Sequence, residues 1–459
     1  MVTDPLFTLS DAATAVGSEP HTSDSIPIFS VTVDSRRCVP GSLFFALPGT
    51  VTDGHEYIHN ARDSGAVAAV VTAAAPAGGG SWPLPVVVVP NSLQALQRLA
   101  AWYVDTALSG VTRIGVTGSN GKTTTKEMIR SVVAASGAAV SASRGNLNSE
   151  TGLPLAVFQT DRTAAVAVFE MAMSRPGEMG DLARILRPHY GVITTIGSAH
   201  IEFLGSRDAI AREKKAIASC FDGSQTLLVP EGEEYTRFLC QEINGTVRQF
   251  GPVAQNAVIR QDSGEVTALE IDGLTATVPL PGRHNGMNAL AAWALGRLLQ
   301  ITPEQISKGL AAVTLPGGRN QVFHGSHDRV VMDDSYNASP ESMSAALETI
   351  AGIHRGRPGA ALILVLGAMK ELGVHAPEAH RRVLQQVRTL APDRTILVGN
   401  QEWGPALSDT PGITRKPDLC ADSSEAARVL AEALRGGETV LIKGSRSLRL
   451  EHLREAVNA

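Results

Sequence analysis

The chain has 459 residues, of which 43% are hydrophobic and 19% charged, and its formal net charge is −5. These values exclude a largely disordered chain, because disorder needs few apolar residues and a high net charge. The slight excess of acidic groups also argues against a nucleic-acid binder held by a basic surface. At roughly 150 residues per domain, the length predicts about three domains.

The cysteines and the apolar segments point to the compartment. The four cysteines lie far apart, with no C-x-x-C pair, which predicts reduced thiols and a cytoplasmic location. The most apolar region, residues 66–90, is interrupted by glycines and prolines. It contains no run of the roughly 20 apolar residues that a membrane span needs, so no stable membrane association is expected.

Three blocks that differ in their pattern of apolar and turn-forming residues follow one another along the chain, and they predict three domains. The first block, 1–108, has short β-like runs at 28–33, 42–46, 66–72 and 85–89, and a helical stretch at 92–106. It predicts a small α/β domain. Residues 107–110 are expected to form a linker.

The second block, 109–316, changes to a β-loop-α pattern. An apolar strand at 113–117 precedes a glycine-rich turn and a helix from about residue 122. Continuous apolar runs at 164–169 and 190–195 are typical of strands buried on both faces, and residues 177–186 and 285–299 are helical in spacing. This pattern predicts a central parallel-sheet domain of the P-loop type.

The third block, 317–459, alternates β-runs and helices four times, the runs lying at 329–332, 361–366, 395–398 and 439–442. Such alternation predicts a parallel, doubly wound, Rossmann-like sheet. The helix after the first run has a clear start, because Ser339 can cap it, Pro340 fits its first turn and Glu341 suits its dipole. The whole chain is therefore expected to be a three-domain α/β protein.

The glycine-rich turn of the second block is the sharpest local signal for chemistry. Backbone N–H groups of such a loop, together with the start of the following helix, can cradle phosphate oxygens. In this pattern the lysine reaches the outer phosphates and the next hydroxyl binds Mg²⁺. Val116 stands where the strict P-loop pattern has glycine, so the loop is a variant. Its residues are Gly118, Ser119, Asn120, Gly121, Lys122, Thr123 and Thr124.

Two polar residues follow the two continuous apolar runs of the second block. Glu170 comes directly after the first run and His200 shortly after the second. Ligands of open parallel sheets gather at the carboxyl ends of strands, so both side chains are expected near the phosphate loop. A carboxylate suits Mg²⁺, whereas histidine is an unusual ligand for it, and a turn histidine remains the alternative for His200. Lys214 and Lys215 lie on a helix predicted at 207–219. Charged helix faces are usually solvated, and that is the default for Lys215.

A phosphate loop alone fits a switch, a kinase or a ligase, and matches along the whole chain distinguish between them. Residues 117–124 resemble the TGxNGKTT loop of the Mur ligase family, and residues 284–289 resemble its HNxxNA segment. Further similar stretches occur in all three blocks, in the family's order, at 34–36, 40–49, 53–55, 144–148, 333–338, 367–373 and 443–447.

The resemblance implies an ATP-dependent enzyme of peptidoglycan precursor synthesis that forms an amide bond through an acyl phosphate. The last four stretches favour the type that joins D-alanyl-D-alanine to UDP-N-acetylmuramoyl-tripeptide. The implied cofactors are ATP and two Mg²⁺ ions, with a carbamylated lysine, and the implied state is a monomer. The alternatives are the Mur ligase that adds the third amino acid and a non-catalytic P-loop relative.

The resemblance also implies a role for individual residues. Catalytic roles fall on Lys122, His200 and Lys214, with Thr123, Glu170 and His200 as metal ligands. Lys214 is the lysine that would be carbamylated, and Lys215 is its competitor. Asn285 and Asn288 would hold the adenine, while the ribose and phosphates would be contacted by Arg319, Asp334 and Asn337. The remaining substrate contacts would be Asp34, Ser35, Arg36, Asp53, His55, Asn146, Asn148, Glu371, Lys443, Ser445 and Arg446.

Three positions depart from the family's pattern. Ser149 and Thr151 stand where the family usually has asparagine and isoleucine, and Ala368 replaces an acid. The resemblance leaves both diaminopimelate and lysine open as the third residue of the substrate peptide.

Overall fold

A computed structural model describes residues 4–19, 25–49, 52–76, 79–260, 264–410, 412 and 415–458. The chain divides into two compact units. Unit 1 consists of residues 1–115, 140–173 and 178–189, and unit 2 consists of residues 116–139, 174–177 and 190–459.

The first block belongs to unit 1 and contains a four-stranded parallel sheet of order β3-β4-β5-β6 beside a two-stranded ribbon, β1-β2. Its β4 is buried along its whole length, and Val31 of β3 pairs with Leu43. The elements are β1 (Phe7–Thr8), α1 (Leu9–Val16), β2 (Pro27–Ile28), β3 (Ser30–Thr32), β4 (Ser42–Phe45), α2 (Ile58–Asp63), β5 (Ala66–Val71), β6 (Val86–Val88) and α3 (Ser92–Thr106).

The second block builds a six-stranded sheet of order β12-β11-β10-β7-β9-β8. The division between the units falls within β7, whose last two residues belong to unit 2. The predicted strands and helices are present. The elements are β7 (Thr112–Thr117), α4 (Lys122–Ala135), β8 (Val140–Ala142), α5 (Gly152–Phe158), β9 (Val166–Glu170), α6 (Glu178–Leu186), β10 (Tyr190–Ile193), α7 (Ile201–Leu204), α8 (Arg207–Lys215), β11 (Thr226–Pro230), α9 (Thr236–Cys240) and β12 (Thr246–Phe250).

A small antiparallel sheet follows β12 and was not anticipated from the sequence. It has the order β13-β14-β15, with strands β13 (Val258–Arg260), β14 (Thr267–Ile271) and β15 (Leu274–Val278). The last two are joined by Asp272 and Gly273, both with positive φ, which is the backbone that a tight two-residue hairpin turn requires. The block ends with the helices α10 (Arg283–Leu298) and α11 (Pro303–Ala311).

The third block forms a six-stranded sheet of order β16-β17-β21-β18-β19-β20. Five strands are parallel, and four of them correspond to the predicted runs. The sequence analysis did not predict the parallel strand β20 or the antiparallel edge strand β16. The elements are β16 (Gln321–Gly325), β17 (Arg329–Asp334), α12 (Pro340–Arg355), β18 (Leu362–Gly367), α13 (Ala376–Leu390), β19 (Arg394–Val398), α14 (Asn400–Ser408), β20 (Asp418–Cys420), α15 (Ser423–Ala433), β21 (Thr439–Lys443) and α16 (Leu453–Asn458).

The start of α12 is the predicted one. Ser339 caps the helix by accepting a hydrogen bond from the Ser342 N–H at 3.3 Å, and Pro340 occupies the first position. No helix in the described ranges combines the length and the apolar character needed to cross a bilayer.

Candidate active site

The phosphate loop lies between β7 and α4, where the sequence places it. Gly121, with φ of 81°, turns the chain into the helix. The Ser119 N–H donates to Thr195 O at 2.8 Å, and the Gly197 N–H donates to Ser119 Oγ at 2.8 Å. The loop is therefore fixed against the segment that follows β10, with the start of α4 pointing into it.

Lys122 folds back over the loop that precedes it. Its amine donates to Gly118 O at 2.8 Å and to Ser119 O at 3.3 Å, and its side chain is half-buried. The next residue, Thr123, is only 2% exposed in the first turn of α4. A cation, a helix start and turned backbone amides together favour a bound anion such as phosphate.

The phosphate loop has no room for a side chain at Gly118, so a substitution there should weaken nucleotide binding. The φ of Gly118 is 149°, and an added Cβ would lie 1.8 Å from Thr194 Oγ1. Gly118→Ala is expected to cost about 1–3 kcal/mol of loop strain and to weaken nucleotide binding correspondingly, as measured by calorimetric titration with ADP. Gly137→Ala is the matched control, because Gly137 has φ of 87° with nothing within 4 Å. Equal binding by both variants would contradict the assignment of the loop.

His200 lies in the loop after β10, within unit 2. Its φ is 66°, in the left-handed region, and its side chain is half-buried. Its Nδ1 lies 2.7 Å from Oε2 of Glu371, which belongs to the third block. This neighbour lowers the pKa of the Glu371 carboxyl, with hydrogen bonding to His200 as the largest cause. The family resemblance implied a site role for both residues, but no local sequence pattern shows that they meet.

Two further contacts link the third block to the phosphate-loop region of unit 2. Ser339 Oγ donates to Asn120 Oδ1 at 3.0 Å. The backbone N–H and the hydroxyl of Ser198 both donate to Glu341 Oε1 at 2.8 Å. Sequence reasoning assigned Ser339 and Glu341 only to the start of α12, so it missed this second use of the same side chains. The partners are 143 and 219 residues apart, and no local pattern reveals such pairs.

The two adjacent lysines of α8 have different surroundings. Lys214 is 1% exposed, and burial lowers the pKa of its amine well below the ordinary value. The nearby charge of Lys122 lowers the same pKa further, while Glu213 opposes the shift. Lys215 places its Nζ 4.5 Å from the centroid of the Phe238 ring. A buried amine that is readily neutral is therefore found at Lys214.

Asn285 and Asn288, the candidate adenine residues, lie side by side on α10 and are buried. Asn288 Nδ2 donates to Asn285 Oδ1 at 3.3 Å, and Asn288 Oδ1 accepts from Thr125 Oγ1 at 3.3 Å. Asn285 Nδ2 donates to Pro281 O at 2.7 Å. An added Cβ on Gly121 would lie 2.5 Å from Asn288 Oδ1, which places this pair against the phosphate loop.

Two further candidates of unit 2, Arg319 and Arg446, lie close to the ring of Tyr336. The guanidinium of Arg319 lies 3.6 Å from the centroid of this ring, and that of Arg446 lies 5.6 Å from it. Cation–π contacts of this kind hold two positive charges near each other. Arg446 is exposed and Arg319 is half-buried, so the charge of Arg446 is the more accessible to solvent.

Lys443, Asp334 and Asn337 are joined by hydrogen bonds. The Lys443 amine, on a 1% exposed residue, donates to Asp334 Oδ2 and to Asn337 O, the latter at 3.1 Å. Asp334 Oδ1 also accepts the Asn320 N–H at 3.0 Å. Ser445 Oγ accepts the Lys370 N–H at 3.0 Å. Lys443 and Ser445 thus order the loops of the third block.

Glu170 and the two candidate asparagines lie in unit 1. Glu170 ends β9 and is 4% exposed. Its Oε1 accepts a hydrogen bond from Asn148 Nδ2 at 2.9 Å, and its N–H donates to Ser143 Oγ at 3.1 Å. Asn146 is exposed. The structure therefore brings Asn148 to the carboxylate of Glu170 and leaves Asn146 at the surface.

The other candidates of unit 1 occupy two short turns that pack against α2. Asp34 caps the turn Ser35–Arg37, accepting from the Arg36 N–H at 3.1 Å and pairing with the Arg36 guanidinium. Asp53 caps the turn Gly54–Tyr57, and its Oδ1 lies 2.6 Å from Nδ1 of His55. His55 Nε2 accepts the Thr72 N–H at 3.0 Å, which fixes the orientation of the imidazole.

The donor groups named for Mg²⁺ are a buried threonine hydroxyl, a buried carboxylate and an imidazole: Thr123, Glu170 and His200. Among the residues that the structure describes, no three or more His, Cys, Asp or Glu side chains form a group that could hold a metal ion. A Mg²⁺ ion in a phosphate site is usually held by one or two carboxylates together with substrate phosphates. A single carboxylate, that of Glu170, is the donor chemistry of such a site and too little for an all-protein cage.

Three family models match the chain along its length. They are the Mur ligase family catalytic domain at residues 27–103, the Mur ligase middle domain at 116–296, and the Mur ligase glutamate ligase domain at 318–446. A UDP-N-acetylmuramoyl-tripeptide–D-alanyl-D-alanine ligase of Treponema pallidum is 39% identical over 444 residues, covering 92% of each chain.

Solved structures agree with this match. A crystal structure of MurF from Acinetobacter baumannii has a TM-score of 0.84 and 27% identity, covering 98% of both chains. A MurF ligase from Thermotoga maritima in complex with ADP has a TM-score of 0.78 and 27% identity, covering 94% of this chain and 97% of that one. The chain belongs to the Mur ligase family, and within it to the type of these UDP-N-acetylmuramoyl-tripeptide–D-alanyl-D-alanine ligases.

Proposed function

We propose that this chain is an ATP-dependent ligase that joins D-alanyl-D-alanine to UDP-N-acetylmuramoyl-tripeptide, releasing ADP and phosphate. The observation that carries the proposal is the match to a ligase of that name over 92% of both chains. The geometry of the phosphate loop supports it, since the loop has the cation and the helix start that an ATP phosphate chain needs. The three proposed domains are residues 1–108 for the UDP-sugar, 109–316 for ATP and 317–459 for the incoming dipeptide.

The reaction needs a leaving group, because a carboxylate does not react with an amine at a useful rate. The peptide carboxylate attacks the γ-phosphorus of ATP, which gives an acyl phosphate and ADP. The amine of D-alanyl-D-alanine then attacks the acyl carbon, and phosphate leaves. The first step brings an anion toward a polyanion, and Lys122 with the loop N–H groups offsets that repulsion.

Thr123, Glu170 and His200 are the proposed ligands of two Mg²⁺ ions. The ions supply positive charge beside the transferring phosphoryl group. Lys214 has the buried amine expected of a residue that reacts with CO₂, since only a neutral amine can attack it. The resulting carbamate would convert a cation into a carboxylate-like ligand.

The remaining residues are proposed to hold substrates. Adenine would be bound by Asn285 and Asn288, while Arg319, Asp334 and Asn337 would contact the ribose and phosphates. The UDP-sugar and its peptide would be held by Asp34, Ser35, Arg36, Asp53, His55, Asn146, Asn148, Lys443, Ser445 and Arg446.

We also propose a cytoplasmic monomer without nucleic-acid partners or stable membrane association. All four cysteines are free thiols, which fits a reducing compartment. The net charge of −5 gives no electrostatic reason for binding nucleic acid.

The function is tested by measuring phosphate release with substrates omitted one at a time. Release is expected only when ATP, the tripeptide precursor and D-alanyl-D-alanine are all present, and the product should carry the mass of the pentapeptide. Joining of a single third amino acid to the dipeptide precursor would instead identify the other ligase. Absence of release under every combination would identify a non-catalytic relative.

A further inference from the structure

His200 and Glu371 face each other in an unusual backbone conformation. Their φ angles are 66° and 62°, so both are residues with side chains held in the left-handed region. That region costs about 1–2 kcal/mol for such residues, and they remain there only where the surroundings enforce it. The two side chains meet with 2.7 Å between Nδ1 and Oε2.

Residues of the third block form hydrogen bonds with the loop on both sides of His200. Glu371 O accepts the Glu202 N–H at 3.3 Å, just after the histidine. Just before it, both donors of Ser198 bond to Glu341 Oε1. An added Cβ on Gly197 would lie 2.8 Å from the Glu341 carboxyl carbon, so the approach depends on glycine. The backbone around His200 is therefore shaped by residues of the third block.

The loop that carries Glu371 is equally fixed within the third block. The Met369 N–H donates to Nε2 of the buried His380 at 3.0 Å, and His380 Nδ1 lies 2.7 Å from Ala376 O. The Lys370 N–H donates to Ser445 Oγ. These bonds hold the two residues that directly precede Glu371, so its carboxylate has a defined position relative to the sheet.

We propose that Glu371 is a positioning residue: its carboxylate holds the imidazole of His200 through Nδ1. The other ring nitrogen, Nε2, then remains available to bind the proposed metal ion. Metal-binding histidines generally give their second ring nitrogen to a carboxylate or carbonyl, which fixes the ring. The proposal rests on the proposed function. This role replaces the substrate contact that the resemblance implied for Glu371. It also means that the ATP site is complete only when Glu371 of the third block contacts His200.

The test measures Mn²⁺ binding in the presence of ADP by electron paramagnetic resonance. It compares the variants Glu371→Ala and Glu371→Gln with the wild-type chain. Glu371→Ala is expected to weaken Mn²⁺ binding at least about 10-fold, whereas Glu371→Gln, which keeps an acceptor oxygen, should stay within about 3-fold. Glu371→Asn suits left-handed backbone but shortens the side chain, so it should match the alanine variant and covers the case that alanine destabilises the loop.

The matched control is Glu202→Ala, which removes an exposed carboxylate from the same region while its backbone bond to Glu371 remains. It should leave Mn²⁺ binding unchanged. In the joining assay, Glu371→Ala should raise the Mg²⁺ concentration for half-maximal rate and leave KM for both peptide substrates within about twofold.

A raised KM for tripeptide or dipeptide with unchanged Mn²⁺ binding would overturn the proposal in favour of a substrate contact. Unchanged Mn²⁺ binding and unchanged kinetics would also overturn it. Failure of the proposed function is distinguishable, because it would appear as a wild-type chain that joins no peptide, whereas the Mn²⁺ measurement needs only the nucleotide.

Discussion

Replacing Lys122 with methionine is expected to lower kcat for peptide joining at least about 100-fold, because the amine that offsets phosphate charge is lost. Methionine keeps most of the unbranched stem, so the loop should retain its packing. The Lys122 amine bonds to Gly118 O and Ser119 O, which places the charge over the loop itself. Steady-state kinetics at saturating ATP measures the loss.

Lys308→Met is the control for this experiment, since Lys308 is an exposed lysine on α11. It should keep the wild-type rate and melting temperature. If Lys122→Met joined peptide as fast as Lys308→Met, the phosphate loop would have no role in the chemistry.

The second large effect is expected at Lys214. Lys214→Met removes a buried amine while keeping a similar volume. It should lower kcat by about 100-fold or more, because the carbamate proposed for Lys214 would then have no amine on which to form. Because burying an amine is costly, the melting temperature should not fall. Lys215→Met is the matched neighbour, and loss of its contact with the Phe238 ring should change kcat less than about threefold.

The carbamate itself can be observed with ¹³C-labelled bicarbonate by nuclear magnetic resonance. The wild-type chain and Lys215→Met should show a carbamate carbon signal, and Lys214→Met should not. The signal should weaken as the pH falls, because the neutral form of the amine is lost. A signal that persisted in Lys214→Met and vanished in Lys215→Met would assign the modification to the other lysine.

Local pattern was sufficient for the parts of the fold that position the phosphate loop. The apolar runs now seen as β9 and β10 and the turn between β7 and α4 follow from composition and spacing alone. The cap at Ser339 was readable for the same reason, since a capping residue acts on backbone only three residues away. These features depend on neighbours in the chain.

The antiparallel sheet β13-β14-β15 was missed although the sequence carried a signal for it. Asp272-Gly273 between alternating residues is a strong hairpin pattern, and β14 alternates buried and half-buried positions. Its strands are short and alternate in burial, so they stand out less than the longer continuous apolar runs of the same block. The antiparallel edge strand β16 had no comparable signal, since all of its residues are half-buried or exposed.

Residue spacing along α8 helps to distinguish Lys214 from Lys215. Ile210 and Ala211 are buried on α8, and Lys214 follows them by four and three residues, which places it on the same face. That spacing favours Lys214 as the buried lysine. The contacts of Glu371 and Glu341 with the loop around His200 join distant parts of the chain, so only the folded structure reveals them.

The central claim is that ATP phosphorylates the peptide carboxylate before the amine attacks. It is tested most directly by labelling the terminal carboxylate of UDP-N-acetylmuramoyl-tripeptide with ¹⁸O and analysing the released phosphate by mass spectrometry. The account predicts that each phosphate carries one ¹⁸O atom from that carboxylate. Released phosphate without label, alongside normal formation of the pentapeptide, would contradict it.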